Sequence, residues 1–150
     1  MKGASKKWVL DTQLFIKAFR DPEANASLQE FHQARAPFEY LSVVVAQELR
    51  AGTRLPADRR KLERHVLGIY ERAGRSITPS ATAWHQSGDV LAAMRRDGGL
   101  ELARLSKAFA NDVLLALSCR EAGCVLVTEN TRDFSRIQRF IAFDFVAPGP

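Results

Sequence analysis

The chain has 150 residues, a length that fits one domain. Hydrophobic residues make up 46% and charged residues 26%, which is typical of a globular protein and excludes a disordered or fibrous chain. No apolar run reaches the roughly 18 residues of a membrane span, and the N-terminus lacks the apolar stretch of about 7–15 residues that a signal peptide needs. We therefore expect a single cytoplasmic domain over residues 1–150, with no membrane segment.

The net charge is +5, and basic side chains concentrate in the segment from Arg50 to Arg75. Such a concentration suits a polyanionic partner, nucleic acid in particular. The same segment contains Glu63 and Glu71, so a solvated helix face explains it equally well. Charge alone leaves the partner open.

Several common catalytic and binding motifs are absent from the sequence. It has no GxGxxG or GxxxxGK[ST] nucleotide loop, no HExxH zinc motif and no GxSxG serine elbow. Cys119 and Cys124 lack the second ligand pair of a zinc site, and we expect reduced, buried thiols. The histidines are scattered, which favours packing or surface roles.

Short strand-like runs alternate with segments of helical periodicity along the chain. Strands are predicted at 8–10, 39–41, 76–78, 124–128 and 140–146. Helices are predicted at 13–19, from 21 to before Pro37, at 42–52, 56–74, from Ser80, and from Leu102 or Ser106 to 122. In the helix from Ser80, Trp84, Leu91 and Met94 share one face. This alternation predicts a three-layer α/β/α sandwich with a parallel sheet of four or five strands.

Asp11 follows the first predicted strand directly. Ligands of open parallel sheets bind beyond the C-terminal ends of the strands, so a carboxylate there faces the usual site. A plain helix N-cap is the alternative, because Asp is favoured at that position.

Glu48 and Asp112 both lie on faces that are otherwise apolar. Glu48 shares its helix face with Leu41, Val44 and Val45. A carboxylate there is costly unless a cation or an arginine compensates it, or unless it reaches water at the helix edge. Asp112 falls on the stripe of a helix that is apolar nearly all round. In the alternative interpretation, Asn111 or Asp112 simply caps that helix.

The polar turn at 128–133 follows the strongest predicted strand. Here Asp133 is predicted to supply a fourth carboxylate, because Glu129 points to the opposite face if the strand continues. Asn130 carries no charge, and Asp133 lies about one helical turn further on. An ordinary polar turn, with Asp133 paired at the surface to Arg132 or Arg136, is the alternative.

These acids are predicted to converge on one edge of one sheet. Carboxylates held that close repel one another unless a cation lies between them. Oxygen ligands alone suit Mg²⁺ or Mn²⁺ rather than zinc.

In these motifs the chain resembles the PIN domains and, among them, the VapC-type toxins of bacterial and archaeal toxin–antitoxin pairs. The matching segments, in order, are VLDTQLF, SVVVAQELRAG and NDVLLALSCREAGCVLVTENTRDF. The sequence departs from the family at Gln13, where Asn is frequent, and at Asn130, where some members have an acid.

The resemblance implies a metal-dependent endoribonuclease. Its catalytic acids correspond to Asp11, Glu48, Asp112 and a fourth acid, for which we take Asp133. Mg²⁺ or Mn²⁺ would be held mainly by Asp11 and Asp112. Substrate contacts are expected from three further polar residues, Thr12, Thr128 and Asn130.

The resemblance also implies a homodimer and a small antitoxin protein that blocks the acidic pocket. Two other functions stay open. One is a PIN nuclease that acts on housekeeping RNA or structured DNA, and the other is a non-catalytic module that binds RNA or protein.

Overall fold

The computed structural model describes residues 6–97, 99 and 106–149. Its strands are β1 (Lys7–Leu10), β2 (Glu39–Ser42), β3 (Ser76–Ile77), β4 (Cys124–Val127) and β5 (Asp144–Val146). Its first helices are α1 (Thr12–Arg20), α2 (Pro22–Arg35), α3 (Val43–Ala51), α4 (Pro56–Leu62) and α5 (Gly68–Arg72), with a π-helical segment, Glu63–Leu67, between the last two. The others are α6 (Ala81–Asp97), α7 (Lys107–Ala122) and α8 (Thr131–Gln138).

The strands form one parallel sheet in the order β3-β2-β1-β4-β5. From β1 the chain moves outward to β2 and β3, then crosses back to β4 and continues outward to β5. Because parallel crossovers are right-handed, these two directions of travel place α1 to α5 on one face and α6 to α8 on the other. The predicted three-layer α/β/α fold with a parallel sheet is confirmed.

The core lies between the sheet and these helices. All four residues of β4 are buried, as a central strand covered on both faces requires. In α7 every residue from Val113 to Cys119 is buried, which explains the continuous apolar sequence there. Gly123 ends α7 in the left-handed conformation, with φ 69°, which glycine adopts without steric cost. Both cysteines are free and buried.

Three sequence predictions differ from the structure. The last strand begins at Asp144 rather than at Phe140, because α8 and a turn occupy the preceding residues. The polar segment after β4 becomes a helix, α8, whose buried Phe134 and Ile137 are three residues apart on one face. Trp84 is 61% exposed and does not share the buried side of α6 with Met94.

The start of α7 is settled at Lys107, with Ser106 as its N-cap, whereas Leu102 lies outside the described residues. The side-chain hydroxyl of Ser106 accepts a hydrogen bond from the backbone N–H of Phe109 at 3.0 Å. Asn111 and Asp112 are therefore in the second turn of α7, and neither caps it.

The basic segment between Arg50 and Arg75 is partly neutralised within the chain. Arg50 donates to Glu63 at 2.7 Å and to Glu71 at 3.4 Å, and Arg59 also donates to Glu63. Among the described helices, none is long and apolar enough to span a membrane.

Candidate active site

An open cleft of about 660 Å³ lies at the C-terminal edge of the sheet. The strand order reverses between β1 and β4, and a crevice at such a switch point is the usual ligand site of an open α/β sheet. The described lining comprises Asp11, Thr12, Gln13, Ile16, Glu48, Gly99, Ser106, Ala108, Phe109, Asp112, Asn130, Asp133 and Arg136. The four carboxylates singled out from the sequence thus share one cleft.

Asp11 is the N-cap of α1 and is only 6% exposed. Its Oδ1 accepts a hydrogen bond from the backbone N–H of Thr12 at 2.8 Å, and its Oδ2 accepts one from the Thr128 hydroxyl at 2.7 Å. Burial raises the pKa of Asp11, while these two hydrogen bonds oppose the rise. Asp11 therefore caps the helix and also presents its carboxylate to the cleft.

Thr128 does not line the cleft. It is fully buried at the end of β4, behind Asp11, and its hydroxyl donates to that carboxylate. Its Oγ1 also accepts from the backbone N–H of Asn130 at 3.0 Å. The Thr128 side chain therefore contacts Asp11 and does not reach the surface of the cleft.

Glu48 is half-buried on α3, where two neutral donors hold it. Its Oε1 accepts from the Thr12 hydroxyl at 2.5 Å and its Oε2 from the Asn111 amide at 3.3 Å. In the described chain no arginine pairs with it, so an arginine is not what compensates this acid. The role of Asn111 was missed from the sequence, which suggested only a helix cap there.

The carboxylate of Asp112 has little compensation within the described residues. Its Oδ2 accepts one long hydrogen bond, from the Asn130 side-chain amide at 3.4 Å. Burial raises its pKa to about 8, and the charges of Asp11, Glu48 and Asp133 add to the rise. A cation beside Asp112 would favour its charged form and oppose that shift.

Asp133 lies in the first turn of α8, and it lines the cleft together with Asn130. The Asn130 amide donates to Asp133 at 3.2 Å as well as to Asp112, and so links the two acids. Glu129 faces away from the cleft and accepts a hydrogen bond from Lys17 Nζ at 2.8 Å. Within the described residues Asp133 forms no ion pair with Arg132 or Arg136.

The carboxylate oxygens of the cleft suit a hard divalent cation that takes few protein ligands. In the part of the chain that the structure describes, no group of three or more His, Cys, Asp or Glu side chains is arranged to hold a metal ion. Mg²⁺ is commonly bound through one or two carboxylates and keeps several waters. Asp11 and Asp112 offer oxygen alone and repel each other, so such an ion would suit them.

A family model of the PIN domain matches residues 8–139. The match covers most of the sequence, and the chain belongs to the PIN domain family, which confirms the resemblance noted from its motifs. Nucleases of this family are hydrolases, and they generally use divalent metal ions. No curated protein matches the chain.

Solved structures share the fold at low sequence identity. DNA-bound VapBC from Salmonella typhimurium is 20% identical, with a TM-score of 0.70 over 97% of this chain and 100% of that one. FitAcB from Neisseria gonorrhoeae is 18% identical, with a TM-score of 0.67 over 94% of this chain and 97% of its own. A toxin–antitoxin complex from Klebsiella pneumoniae is 21% identical, with a TM-score of 0.62 over 95% and 98%.

We expect Asp112→Asn to stabilise the metal-free protein. The pKa of Asp112 is about 8 in the fold, above its ordinary 3.8, so ionisation destabilises the fold increasingly as the pH rises through that window. In EDTA near pH 7.5, the variant should melt roughly 3 °C or more above wild type, equivalent to about 1 kcal/mol in a domain of this size. The gain should shrink as the pH falls toward 4.

Asp144→Asn is the matched control, because Asp144 is exposed on β5 and lies outside the cleft lining. Its melting temperature should equal that of wild type. Millimolar Mn²⁺ should raise the melting temperature of wild type more than that of Asp112→Asn, since a ligand stabilises only the fold that binds it. A wild type that does not respond to Mn²⁺, or an Asp112→Asn protein less stable in EDTA, contradicts this prediction.

Proposed function

We propose that the protein is a metal-dependent endoribonuclease that hydrolyses RNA phosphodiester bonds. The observation that carries this proposal is the convergence of Asp11, Glu48, Asp112 and Asp133 on one cleft at the switch point of the sheet. Their hydrogen-bond partners in the described chain are neutral, and the charges of the other three acids add to the rise that burial causes in the pKa of Asp112. Membership of the PIN domain family supports the same function.

A buried carboxylate elsewhere in the molecule shows how the fold treats an acid with a structural role. Glu39, at the start of β2 and 4% exposed, accepts a hydrogen bond from the Tyr70 hydroxyl and contacts His32 Nδ1 at 2.6 Å. The Glu39 carboxylate thus has two close side-chain partners. Asp112 has a single long hydrogen bond, which favours a ligand-binding role over a structural one.

Asp11 and Asp112 are the proposed ligands of Mg²⁺ or Mn²⁺. When bound, such an ion supplies Lewis acidity toward the phosphate and a water of lowered pKa. Thr128 holds Asp11 through its hydroxyl, and Thr12 and Asn111 hold Glu48. Asn130 keeps Asp112 and Asp133 at hydrogen-bond distance from one amide. Thr12 and Asn130 line the cleft, where they also contact the substrate in this proposal.

We further propose that the nuclease is a toxin with an antitoxin partner. The fold matches VapBC from Salmonella typhimurium and a toxin–antitoxin complex from Klebsiella pneumoniae over nearly the whole length of each matched chain. A PIN nuclease of housekeeping RNA or structured DNA is a second candidate, because the cleft itself does not distinguish these substrates. The intact set of acids argues against a non-catalytic module.

Cleavage of RNA should require divalent metal, Asp11 and Asp112. We expect Asp11→Asn and Asp112→Asn to lower the rate at least roughly 100-fold, since even groups that only orient a ligand are worth about 10–100-fold. The measurement is single-turnover cleavage of tRNA, rRNA and mRNA in Mg²⁺ and in Mn²⁺. Asp144→Asn serves as the control with an equal change of charge. Wild-type activity in either cleft variant, with its fold verified by circular dichroism, would rule out the site.

The fourth carboxylate is proposed to be Asp133 rather than Glu129. Asp133→Asn should lower activity and metal affinity, because its carboxylate lines the cleft. Glu129→Gln should leave both near wild type, because Glu129 pairs with Lys17 outside the cleft. A titration of activity with Mn²⁺ compares the two variants. The assignment is wrong if Glu129→Gln loses activity while Asp133→Asn retains it.

A partner protein should block the cleft, and the nuclease should be a homodimer. Co-expression with a short DNA-binding protein encoded beside this gene should give a complex that no longer cleaves RNA. Light scattering at micromolar concentration measures the mass of the free nuclease. A strictly monomeric mass contradicts the homodimer, and full cleavage by a stable complex contradicts the inhibitory role of the partner.

A further inference from the structure

The cleft contains a guanidinium group beside its carboxylates. Arg136 on α8 lines it, three residues after Asp133 and so on the same side of that helix. Phe109 on α7 lines it as well, three residues before Asp112. The guanidinium carbon of Arg136 lies 5.7 Å from the centroid of the Phe109 ring. Each helix thus supplies one acid and one member of an arginine–aromatic pair.

Arg136 forms no ion pair with the described acids around it. None of the ion pairs within residues 6–97, 99 and 106–149 includes its side chain. Among the described residues, none of its nitrogen atoms is a buried donor that lacks a partner. Within the described residues, the side chain of Arg136 thus has no hydrogen-bonding or ionic partner, and it lies partly exposed in the lining of the cleft.

An arginine in this position has a clear chemical preference. Its planar fork matches the oxygens of a phosphate and donates two parallel hydrogen bonds to them. The face of Phe109 attracts the cation, which keeps it close to the acids without neutralising them. A polyanion that enters a cleft with four carboxylates needs such a cation.

We propose that Arg136 binds a backbone phosphate of the RNA substrate beside the acid cluster, with Phe109 orienting the guanidinium. This inference rests on the proposed ribonuclease function and adds a substrate-binding residue to it. Arg136 then sets where the RNA backbone lies relative to Asp112 and Asp133.

The test compares Arg136→Gln with Arg139→Gln. Arg139, the C-cap of α8, is exposed and does not belong to the described cleft lining, so the control loses the same charge beside the same helix. Arg136→Met is a second cleft variant that retains an apolar stem against Phe109. Fluorescence anisotropy with a short, mixed-sequence, single-stranded RNA in EDTA gives affinities over a range of salt concentrations. Initial rates in Mn²⁺ give KM and kcat.

Both Arg136 variants should bind RNA roughly tenfold more weakly or worse, as expected for a lost hydrogen bond to a charged group. The slope of log affinity against log salt should fall by about 0.7, which is one phosphate contact on a single strand. KM should rise while kcat stays within about twofold, the pattern of lost uniform binding. Arg139→Gln should leave the slope and KM close to those of wild type.

Different results overturn different parts of the argument. If wild type binds and cleaves RNA but the Arg136 variants match Arg139→Gln, this inference is wrong and the ribonuclease function stands. If wild type neither binds nor cleaves RNA, the ribonuclease function fails and the inference with it. A loss of kcat with unchanged KM and salt slope also overturns the phosphate contact.

Discussion

The pairing of β1 with β4 is the constraint on which the site depends. These strands come from distant parts of the chain and pair in parallel, with Leu10 opposite Val127. Their C-terminal ends therefore meet, and the Thr128 hydroxyl reaches the Asp11 carboxylate at 2.7 Å. Because the crossovers run in opposite directions from this pair, the helices on either side diverge and leave a crevice above it. The other acids are brought to that crevice by α3, which packs against β2, by α7, which packs against β4, and by α8, which packs against α7.

The cleft buries carboxylates at a cost in free energy that the fold tolerates. Hydroxyls and amides orient its acids, and such neutral donors relieve only part of the cost of burying charge. The remaining cost is largest at Asp112, whose pKa rises to about 8. The same chain surrounds Glu39 with a tyrosine and a histidine at the other end of β2, so the buried charge there is compensated by side-chain partners. A site that is destabilised without a ligand gains the most from binding a cation.

Much of the fold could be predicted from the sequence, because local patterns carry it. The apolar run of β4, the buried α7 and the alternation of strands with helices are signals of periodicity and composition. The helix α8 was missed because its first residues, Thr131 to Asp133, are polar and resemble a turn. Its helical periodicity rests on only two apolar residues, Phe134 and Ile137, which lie on one face. Because α8 was not predicted, the last strand was predicted to begin before Asp144.

The sequence by itself determined the parallel α/β architecture, and it singled out four acids that share one cleft in the structure. Asp11 follows a strand, Glu48 and Asp112 interrupt apolar helix faces, and Asp133 lies in the polar segment after β4. The tertiary structure alone decided their partners. Three contacts join residues that are far apart in the chain. Asn111 donates to Glu48, Thr128 donates to Asp11, and Arg136 lies near the Phe109 ring. Sequence periodicity does not predict such contacts, because they depend on how the helices pack across the edge of the sheet and on which side chains reach across the cleft.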